Sequence, residues 1–422
     1  MRSRPTHRRA TAAIAGALVS ALLLAGCSFG GEVPVDAPPQ AESPLPDDTV
    51  QQLQDAVTHA MGVTGSSGAI VGVWAPWSGS WVAGLGSQRP DGGGEVTDDQ
   101  VFRAGKMTRA MTCDVLYEVA AAGKVKLGDS VTEYVAGVPD LADVSLAELC
   151  DGTSGVGSYT GQLYGLWLQN PERQWDPRYL ASFGLGQPRT TAPGQAYRDS
   201  DAGYLLLGLA LQRATGETAA DLFQTYVADP LGLDATALGD LPTTGVLKGG
   251  QSVNNAEGVL DCAQPLDLTA VSGTTGFTDA GAVTDIRDLG HYAQALATGA
   301  LVPSDERFAH PLPVSPDGPS WYTADGGALQ AGSLIGQYGK VPGYITAAFA
   351  DPRSGLTVAV VLNNSAADAA VGEYLVWELA AIASKAPATA GQKVPEAGLP
   401  WTPEQYHDAI AAAAVCTPPA AE

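Results

Sequence analysis

The sequence predicts an α+β fold, in which strands from both ends of the chain form one antiparallel sheet and helices lie between them. Apolar, β-rich runs occur at 68–75 and 80–86 and again at 344–350 and 357–363, and each pair brackets a turn sequence. The residues between the two pairs show mainly helical signals and no internal repeat. Strands at both ends with helices between them are typical of an α+β architecture.

Each predicted element depends on a local signal. An amphipathic pattern predicts an opening helix over 48–61, and the two hairpins turn at 76–79 and 351–355. A helix over 108–122 is expected to end at Gly123, because Gly tolerates the left-handed conformation that follows many helices. Further helices are predicted at 145–150, 201–214, 218–227, 284–297, 366–384 and 403–415.

Composition excludes several classes of protein. The chain has 422 residues, of which 45% are hydrophobic and 16% charged, so it can bury a large core and is not disordered. The first 26 residues hold four Arg and no acid, which leaves 18 basic residues against 45 acidic ones in the body. A surface this acidic repels polyphosphate, and we therefore expect no nucleic-acid partner.

The N-terminus has the pattern of an export signal. Arginines among the first nine residues precede an apolar run over 10–26, which is short for a membrane-spanning helix. The run ends in Leu-Ala-Gly followed by Cys27, which resembles the lipobox of bacterial lipoproteins and implies removal of 1–26 and lipidation of Cys27. An ordinary secretory signal is the alternative. Residues 27–48 are rich in Gly, Pro, Asp, Glu and Ser and are predicted to form a flexible tether.

The cysteine count favours disulfides over a metal site. Once Cys27 is assigned to the lipid anchor, an even number remains, namely Cys113, Cys150, Cys262 and Cys416. In an exported protein they are expected to form two disulfides, with three connectivities open and four buried free thiols as the alternative. Neither CxxC nor HExxH occurs and no His pair has ligand spacing, so no metal or other cofactor is predicted.

Seven short segments carry a family resemblance. They are Phe102-Arg103-Ala104-Gly105, the stretch 123–131, Thr153-Ser154-Gly155, Pro193-Gly194 with 203–208, Asp229-Pro230-Leu231-Gly232-Leu233, the stretch 280–289 and Pro342-Gly343-Tyr344. In this order they resemble the β-lactamase-related serine hydrolases, which include class C β-lactamases, D-alanyl-D-alanine carboxypeptidases and allied esterases. The resemblance implies a β-lactamase/transpeptidase-like fold over 49–385, followed by a Pro/Ala-rich C-terminal tail over 386–422.

The catalytic positions implied by the resemblance are substituted. The family uses Ser-x-x-Lys, Tyr-x-Asn and His/Lys-x-Gly, in which a hydroxyl nucleophile is activated by a neighbouring base. At the three corresponding positions this chain has Lys106-Met107-Thr108-Arg109, Asp199-Ser200-Asp201 and Gln337-Tyr338-Gly339. Of the defining residues of these motifs, Gly339 alone is of the family's type. Lys106 cannot form an acyl ester, and Arg109 cannot accept a proton. No Ser has a Lys three residues later, and neither Thr108 nor Ser200 has an identifiable base.

The new residues suggest a charge network. In the family the first two slots face each other, so Lys106 and Arg109 would lie opposite Asp199 and Asp201 and fill the old site with ion pairs. The alternatives are a register error of one residue or charges that point to solvent. The same resemblance places Cys113 and Cys150 in one helical subdomain and implies the pairs Cys113–Cys150 and Cys262–Cys416.

These observations favour a catalytically inactive protein that binds or scaffolds. The resemblances place it on the outer face of a bacterial cell membrane, anchored through Cys27, with peptidoglycan or an envelope protein as its ligand. The alternative is an active serine-type hydrolase of D-alanyl peptides, β-lactams or esters with a non-standard nucleophile. A purely structural lipoprotein is a third interpretation, and an open pocket lined by Trp321, Tyr322 and Tyr338 would count against it. Packing of these aromatic side chains in the core is the alternative, and Ser200 is a further pocket candidate.

Overall fold

The protein is described by a computed structural model covering Met1, residues 32–396 and residues 398–416. The predicted signal peptide and Cys27 lie outside these residues. No helix in the described ranges is long and apolar enough to cross a membrane. The helices are α1 (Asp47–Thr64), α2 (Met107–Ala121), α3 (Leu146–Cys150), α4 (Thr160–Gln169), α5 (Pro177–Leu185), α6 (Asp201–Thr215), α7 (Ala219–Phe223), α8 (Asp229–Leu231), α9 (Phe277–Ala280), α10 (Ile286–Thr298), α11 (Ser304–Arg307), α12 (Ala370–Ala383) and α13 (Pro403–Ala412).

Strands from both ends of the chain share one antiparallel sheet, as the sequence predicts. The strands are β1 (Gly68–Ala75), β2 (Gly79–Arg89), β3 (Gly92–Glu95), β4 (Phe102–Arg103), β5 (Ala237–Leu238), β6 (Gly250–Asn254), β7 (Leu260–Asp267), β8 (Ala282–Thr284), β9 (Leu312–Pro313), β10 (Tyr322–Asp325), β11 (Ala328–Ala331), β12 (Leu334–Val341), β13 (Tyr344–Ala350) and β14 (Thr357–Leu362). The main sheet has the order β3-β2-β1-β14-β13-β12-β11-β10-β9, so N-terminal β1 pairs with C-terminal β14.

Helices cover both faces of this sheet. Successive strand residues point to opposite faces, and along β14 Val358 and Val360 pack with the cluster around α1, α12 and α13. Ala359 and Val361 instead pack with the cluster that contains α2, α6 and α10. Every residue of β13 and β14 is buried, which explains their continuous apolar runs. The result is a three-layer domain with its larger helical part inserted between β3 and β9.

Several elements were not predicted from the sequence. Helices α4 and α5 and the exposed hairpin β6–β7 were missed, as were β10 and β11. Helix α4 contains Gly161 and Gly165, which lower its intrinsic helix propensity. The burial of Leu163 and Trp167 on one side of α4 supplies the tertiary packing that compensates for this weakness.

Residues 32–46 lie against the domain, whereas the sequence predicts a flexible tether over 27–48, of which 27–31 lie outside the described residues. The backbone N–H of Val33 donates to the carbonyl of Pro230 at 2.6 Å, and Leu45 is 2% exposed. Residues from Glu32 onward belong to the same compact unit as the sheet. The prediction overlooked the apolar residues between the prolines, whose burial offsets the conformational entropy lost on ordering the segment.

The described residues form two disulfides, and these are the pairs favoured from the resemblance. Cys113 on α2 is joined to Cys150 at the end of α3 with a Cα–Cα distance of 5.5 Å. Cys262 on β7 is joined to Cys416 with a Cα–Cα distance of 6.1 Å. The first bridge ties the helix that begins at the family's nucleophile slot to the neighbouring helix, and the second holds the residues after α13.

Candidate functional site

The candidate site lies where α2 begins, between the main sheet and the helical insertion. Gly105 adopts a φ of +60°, a conformation that Gly tolerates readily, and this turn leads from β4 into α2. The strand β4 pairs with β8, and the Thr346 hydroxyl on β13 donates to the carbonyl of Arg103 on β4. These contacts bring the first turn of α2 close to β12 and α9.

Lys106 and Arg109 meet the same carboxylate, as the charge-network hypothesis required. Lys106 Nζ lies 2.5 Å from one oxygen of Asp199, and Arg109 Nη1 lies 2.6 Å from the other. The Asp199 side chain is 53% exposed, whereas that of Arg109 is 1% exposed. The guanidinium also lies 4.7 Å from the ring centre of Tyr204, which adds a cation–π contact.

The second carboxylate of the network belongs to Asp279. The sequence predicts Asp201 in this role, and that prediction is wrong. Arg109 Nε donates to Asp279 Oδ1 at 2.7 Å, and the Asp279 side chain is 4% exposed. The carboxylate of Asp201 instead accepts the backbone N–H groups of Tyr159 and Thr160 at 2.7 and 3.0 Å. It therefore caps the N-terminus of α4, where unpaired N–H groups favour an anion.

The electrostatics of the cluster follow from these contacts. Partial burial tends to raise the pKa of Asp199, but the cations of Arg109 and Lys106 outweigh it and hold that pKa well below its ordinary value. Burial raises the pKa of Asp279 to about 6 even though Arg109 opposes the shift. Burial would lower the pKa of Arg109, but Asp199 and Asp279 together hold it above its ordinary value. The cluster is therefore a buried guanidinium between two unequal carboxylates.

The third motif position is structural. The buried Gln337 side chain donates from Nε2 to the carbonyl of Gly327 at 3.2 Å, so it makes a structural contact with the backbone. A Cβ atom at Gly339 would lie 2.6 Å from Cγ of Lys106, which is shorter than a van der Waals contact between two carbon atoms. Gly at this position lets the Lys106 stem lie directly against β12 on its way to Asp199.

Hydroxyl groups near the network are engaged with the backbone. The Thr108 hydroxyl donates to the carbonyl of Gly105 at 2.7 Å and accepts the N–H of Ala282. The Ser200 hydroxyl, on a residue 1% exposed, caps α6 by accepting the N–H of Gly203 and donates to the carbonyl of Gly157. Neither hydroxyl contacts a side chain that could act as a base, which general-base activation requires.

A cavity of about 300 Å³ remains beside the ion pairs. Its polar side is formed by Lys106, Asp199, Asp201 and Asp279, and its apolar wall by Tyr159, Tyr164 and Trp167. Neither Asp279 nor this aromatic wall was predicted from the sequence. Their residue types were visible next to family segments, but no local pattern indicated that they face the catalytic slots.

The pocket candidates Ser200, Trp321 and Tyr338 have other contacts in the structure. None of the three lines the cavity beside Lys106. Trp321 packs against Trp377 and Trp401 with ring-centre distances of 5.8 and 5.2 Å, in the apolar cluster that also includes Tyr338. Ser200 is a buried helix cap. Trp321 and Tyr338 are partly buried and pack against the apolar cluster that contains residues of α12 and Trp401.

In the described part of the chain, no three His, Cys, Asp or Glu side chains are arranged as metal ligands. Asp199 and Asp279 already contact cationic side chains, and a metal ion would have to displace these cations. The contacts that these side chains make in the structure are ion pairs and hydrogen bonds.

Curated relatives are hydrolases by name. The chain is 26% identical to the D-alanyl-D-alanine-carboxypeptidase/endopeptidase AmpH of Escherichia coli K12 over 210 residues, which is 47% of this chain and 52% of the relative. It is 29% identical to esterase EstB of Burkholderia gladioli over 160 residues, or 34% of this chain and 40% of that protein. The chain thus spans about half or less of the length of the curated relatives it matches.

Solved structures show the same fold. A D-stereospecific amidohydrolase from Streptomyces sp. superimposes with a TM-score of 0.64 at 22% identity, covering 76% of this chain and 95% of that one. The D-amino acid amidase of Ochrobactrum anthropi SV3 gives a TM-score of 0.65 at 20% identity, with 76% and 93% covered. The beta-lactamase family model matches residues 48–381, which is most of the chain. The chain therefore belongs to the beta-lactamase family and has its fold.

Proposed function

We propose that this chain is a lipid-anchored protein of the bacterial cell envelope whose beta-lactamase-family domain binds or scaffolds without catalysis. The observation that carries the proposal is the contact of Lys106 and Arg109 with the single carboxylate of Asp199. An ammonium group has no electron pair with which to attack a carbonyl, and a guanidinium cannot serve as a general base. The cluster thus replaces nucleophile and base by an ion pair.

The alternative is an active hydrolase with a non-standard nucleophile. The names of the similar proteins, a carboxypeptidase/endopeptidase, an esterase, an amidohydrolase and an amino acid amidase, favour it. The positions of Thr108 and Ser200 favour the non-catalytic proposal instead, since both hydroxyls donate to backbone carbonyls. Phenolic and serine groups on the cavity rim are similarly engaged, as Tyr159 and Ser158 donate to the carbonyls of Thr275 and Asp199.

We expect no covalent adduct with a β-lactam. The purified protein is incubated with a fluorescent penicillin and examined by gel fluorescence and intact-mass spectrometry, while hydrolysis of nitrocefin and of a p-nitrophenyl ester is followed in parallel. An active penicillin-binding protein serves as the positive control, and circular dichroism confirms that the test protein is folded. An adduct or turnover that disappears in the variant Ser200→Ala or Thr108→Ala would overturn the proposal and establish the hydrolase.

The membrane anchor is tested separately at Cys27. If this residue is lipidated, cells fed labelled palmitate should incorporate label into the wild-type chain and into a matched Ser28→Ala variant. The Cys27→Ser variant should lose the label and leave the membrane fraction. Label that persists in Cys27→Ser, or a wild-type protein without label, would exclude the anchor while leaving the non-catalytic proposal intact.

Peptidoglycan or an envelope protein is the proposed partner. The acidic body, with 45 acidic residues against 22 basic ones in the full chain, disfavours anionic polymers such as nucleic acid. The assignment of this partner class rests on family analogy.

A further inference from the structure

Residues 32–46, which we call the strap, close one end of the main sheet. The backbone N–H of Ala41 donates to the carbonyl of Pro76 at 3.1 Å, in the turn between β1 and β2. Further along the strap, the N–H of Leu45 donates to the carbonyl of Ser80 at 3.1 Å. The strap is therefore held by backbone hydrogen bonds at the end of the sheet where β1 finishes.

Side chains of the strap pack on both sides of the sheet. Val33 and Val35 pack against the cluster that contains α2, α6 and α10, whereas Leu45 belongs to the cluster around α1, α12 and α13. Between them, Pro38 lies against the turn that joins β13 to β14, since a Cβ atom at Gly355 would lie 3.1 Å from its Cδ. Releasing the strap would expose apolar surface on both sides, so the packed position is favoured.

The strap also determines where the chain enters the domain. The N–H of Val33 donates to the carbonyl of Pro230 on α8 at 2.6 Å, and a Cβ atom at Gly232 would lie 3.0 Å from Oε1 of Glu32. Glu32 is five residues after Cys27 in the sequence, and five extended residues span at most about 18 Å. A compact domain of this length is about 55 Å across, so a lipid on Cys27 would keep the α8 side close to the bilayer.

A flexible tether over 27–48 would have a different consequence. Such a segment can extend to about 70 Å, which exceeds the diameter of the domain, and any side of the domain could then face the lipid. The contacts of the strap leave five residue steps between the predicted anchor and the domain. They therefore restrict the orientations that an anchored domain can adopt.

Electrostatic attraction does not replace the tether at this end. The charged residues of the strap are Glu32, Asp36 and Glu42, and all three are exposed. They have the same sign as an anionic lipid surface, which attracts basic segments and repels acidic ones. The covalent connection must therefore hold this end of the domain near the bilayer.

The ion-pair cluster lies toward the other end of the sheet. Gly339, against which the stem of Lys106 lies, pairs with Thr346, which pairs with Val361. Val361 in turn pairs with Ile70, five residues before the last residue of β1. At 3.3 Å per residue this register places the cluster about 17 Å along the sheet from the end closed by the strap.

The hairpin β6–β7 lies at that far end. The N–H of Gly250 on β6 donates to the carbonyl of Asn363 at 2.8 Å, and the N–H of Asn363 donates to the carbonyl of Gly68, the first residue of β1. The strap and this hairpin are therefore at opposite ends of the central strands.

We propose that the strap orients the domain on the membrane, with the α8 side facing the lipid surface and the β6–β7 hairpin pointing toward the cell wall. The inference rests on the lipid anchor proposed above and deepens it, because it assigns the side of the domain that faces the lipid. The end of the sheet nearer the ion-pair cluster is then presented to the polymer beyond the membrane.

The test supplies the anchor chemically. Residues 27–422 with Cys27→Ser and a hexahistidine tag before residue 27 are bound to phosphatidylcholine vesicles that contain a nickel-chelating lipid and a headgroup-linked energy-transfer acceptor. A donor dye is attached to Asp36→Cys on the strap or to Ala256→Cys in the exposed turn of the β6–β7 hairpin. The four remaining native cysteines form the two disulfides, so the dye reacts with the introduced thiol.

The strap dye should transfer energy to the lipid at least about threefold more efficiently than the hairpin dye, because the domain is about 55 Å across. Equal transfer from the two positions, or stronger transfer from the hairpin, would overturn the inference. Circular dichroism confirms that both labelled variants are folded.

A spacer isolates the role of the strap. About fifteen Gly/Ser residues inserted between Gly31 and Glu32 give a free tether of about 20 residues with a root-mean-square length of about 25 Å, so the two transfer efficiencies should converge. The same spacer between Gly391 and Gln392, which are both exposed, should leave the difference unchanged.

A difference that persists with the first spacer would show that direct lipid contact orients the domain, and would contradict the role of the strap. Because the tag supplies the anchor, this result does not depend on lipidation of Cys27. The palmitate experiment tests that lipidation separately, so the inference and the proposed anchor can fail independently.

Discussion

Replacing Arg109 with methionine is expected to lower the free energy of unfolding by about 3–5 kcal/mol, the usual cost of removing one partner of a buried ion pair. The Arg109 side chain is 1% exposed and holds Asp279, which is 4% exposed. Methionine keeps much of the apolar stem but leaves the Asp279 carboxylate buried without its cation. Urea unfolding at neutral pH, followed by circular dichroism, measures the loss.

An exposed ion pair supplies the matched control. Arg287 and Asp98 are also paired, but their side chains are 54% and 36% exposed, and such pairs contribute about 1 kcal/mol or less. Arg287→Met should therefore cost far less than Arg109→Met. The double variant Arg109→Met/Asp279→Asn should recover part of the stability, because the stranded charge is gone. Equal losses for the two single variants would show that the buried network does not contribute as described.

Glu373 on α12 is expected to make stability fall as the pH rises through neutrality. Its residue is 3% exposed, and its carboxyl group accepts the hydroxyl of Tyr322. Burial, the main cause, raises the pKa of Glu373 to about 8, the charge of Asp368 raises it further and the hydrogen bond from Tyr322 opposes the shift. Burial is the main cause that raises the pKa values of the neighbouring phenols of Tyr338 and Tyr374, and the charge of the Glu373 carboxyl group raises them further.

The sign follows from proton linkage. The ordinary pKa of a glutamate is near 4.3, and that of Glu373 in the folded protein is about 8. Between these two pH values the carboxyl group of Glu373 is protonated in the folded protein and ionised in the unfolded chain. The free energy of unfolding therefore falls by up to about 1.4 kcal/mol per pH unit as the pH rises. Glu373→Gln mimics the protonated group and lacks this dependence. The free energy of unfolding of the variant, relative to that of the wild type, should therefore increase by several kcal/mol between pH 5 and 8. Urea unfolding at each pH measures this difference.

An exposed glutamate is the control for this titration. Glu404 lies in the first turn of α13 and is exposed, and its pKa is lowered chiefly by a backbone hydrogen bond. Glu404→Gln should leave the pH dependence above pH 5 unchanged. If the difference between Glu373→Gln and the wild type does not vary with pH, the carboxyl group of Glu373 is ionised in the folded protein and the prediction is wrong.

The parts of the fold predicted correctly are those with a strong local pattern. The continuous apolar run of β14 and the helical patterns of α6 and α10 are visible without any tertiary contact. Helix α4 and the hairpin β6–β7 were missed for different reasons. The first contains two Gly residues, and the second is only partly buried and shows no strong apolar alternation.

The candidate site divides in the same way. The sequence by itself determined the α+β class, the location of the three motif slots and their replacement by Lys106, Arg109, Asp199 and Asp201, because residue identity and spacing are local properties. Which carboxylate joins which cation was decided by the tertiary structure. Asp279 lies 170 residues after Arg109 in the chain and reaches it because α9 packs against α2. Asp201 turns instead to the N–H groups at the start of α4, since a carboxylate is stabilised there without needing a cation.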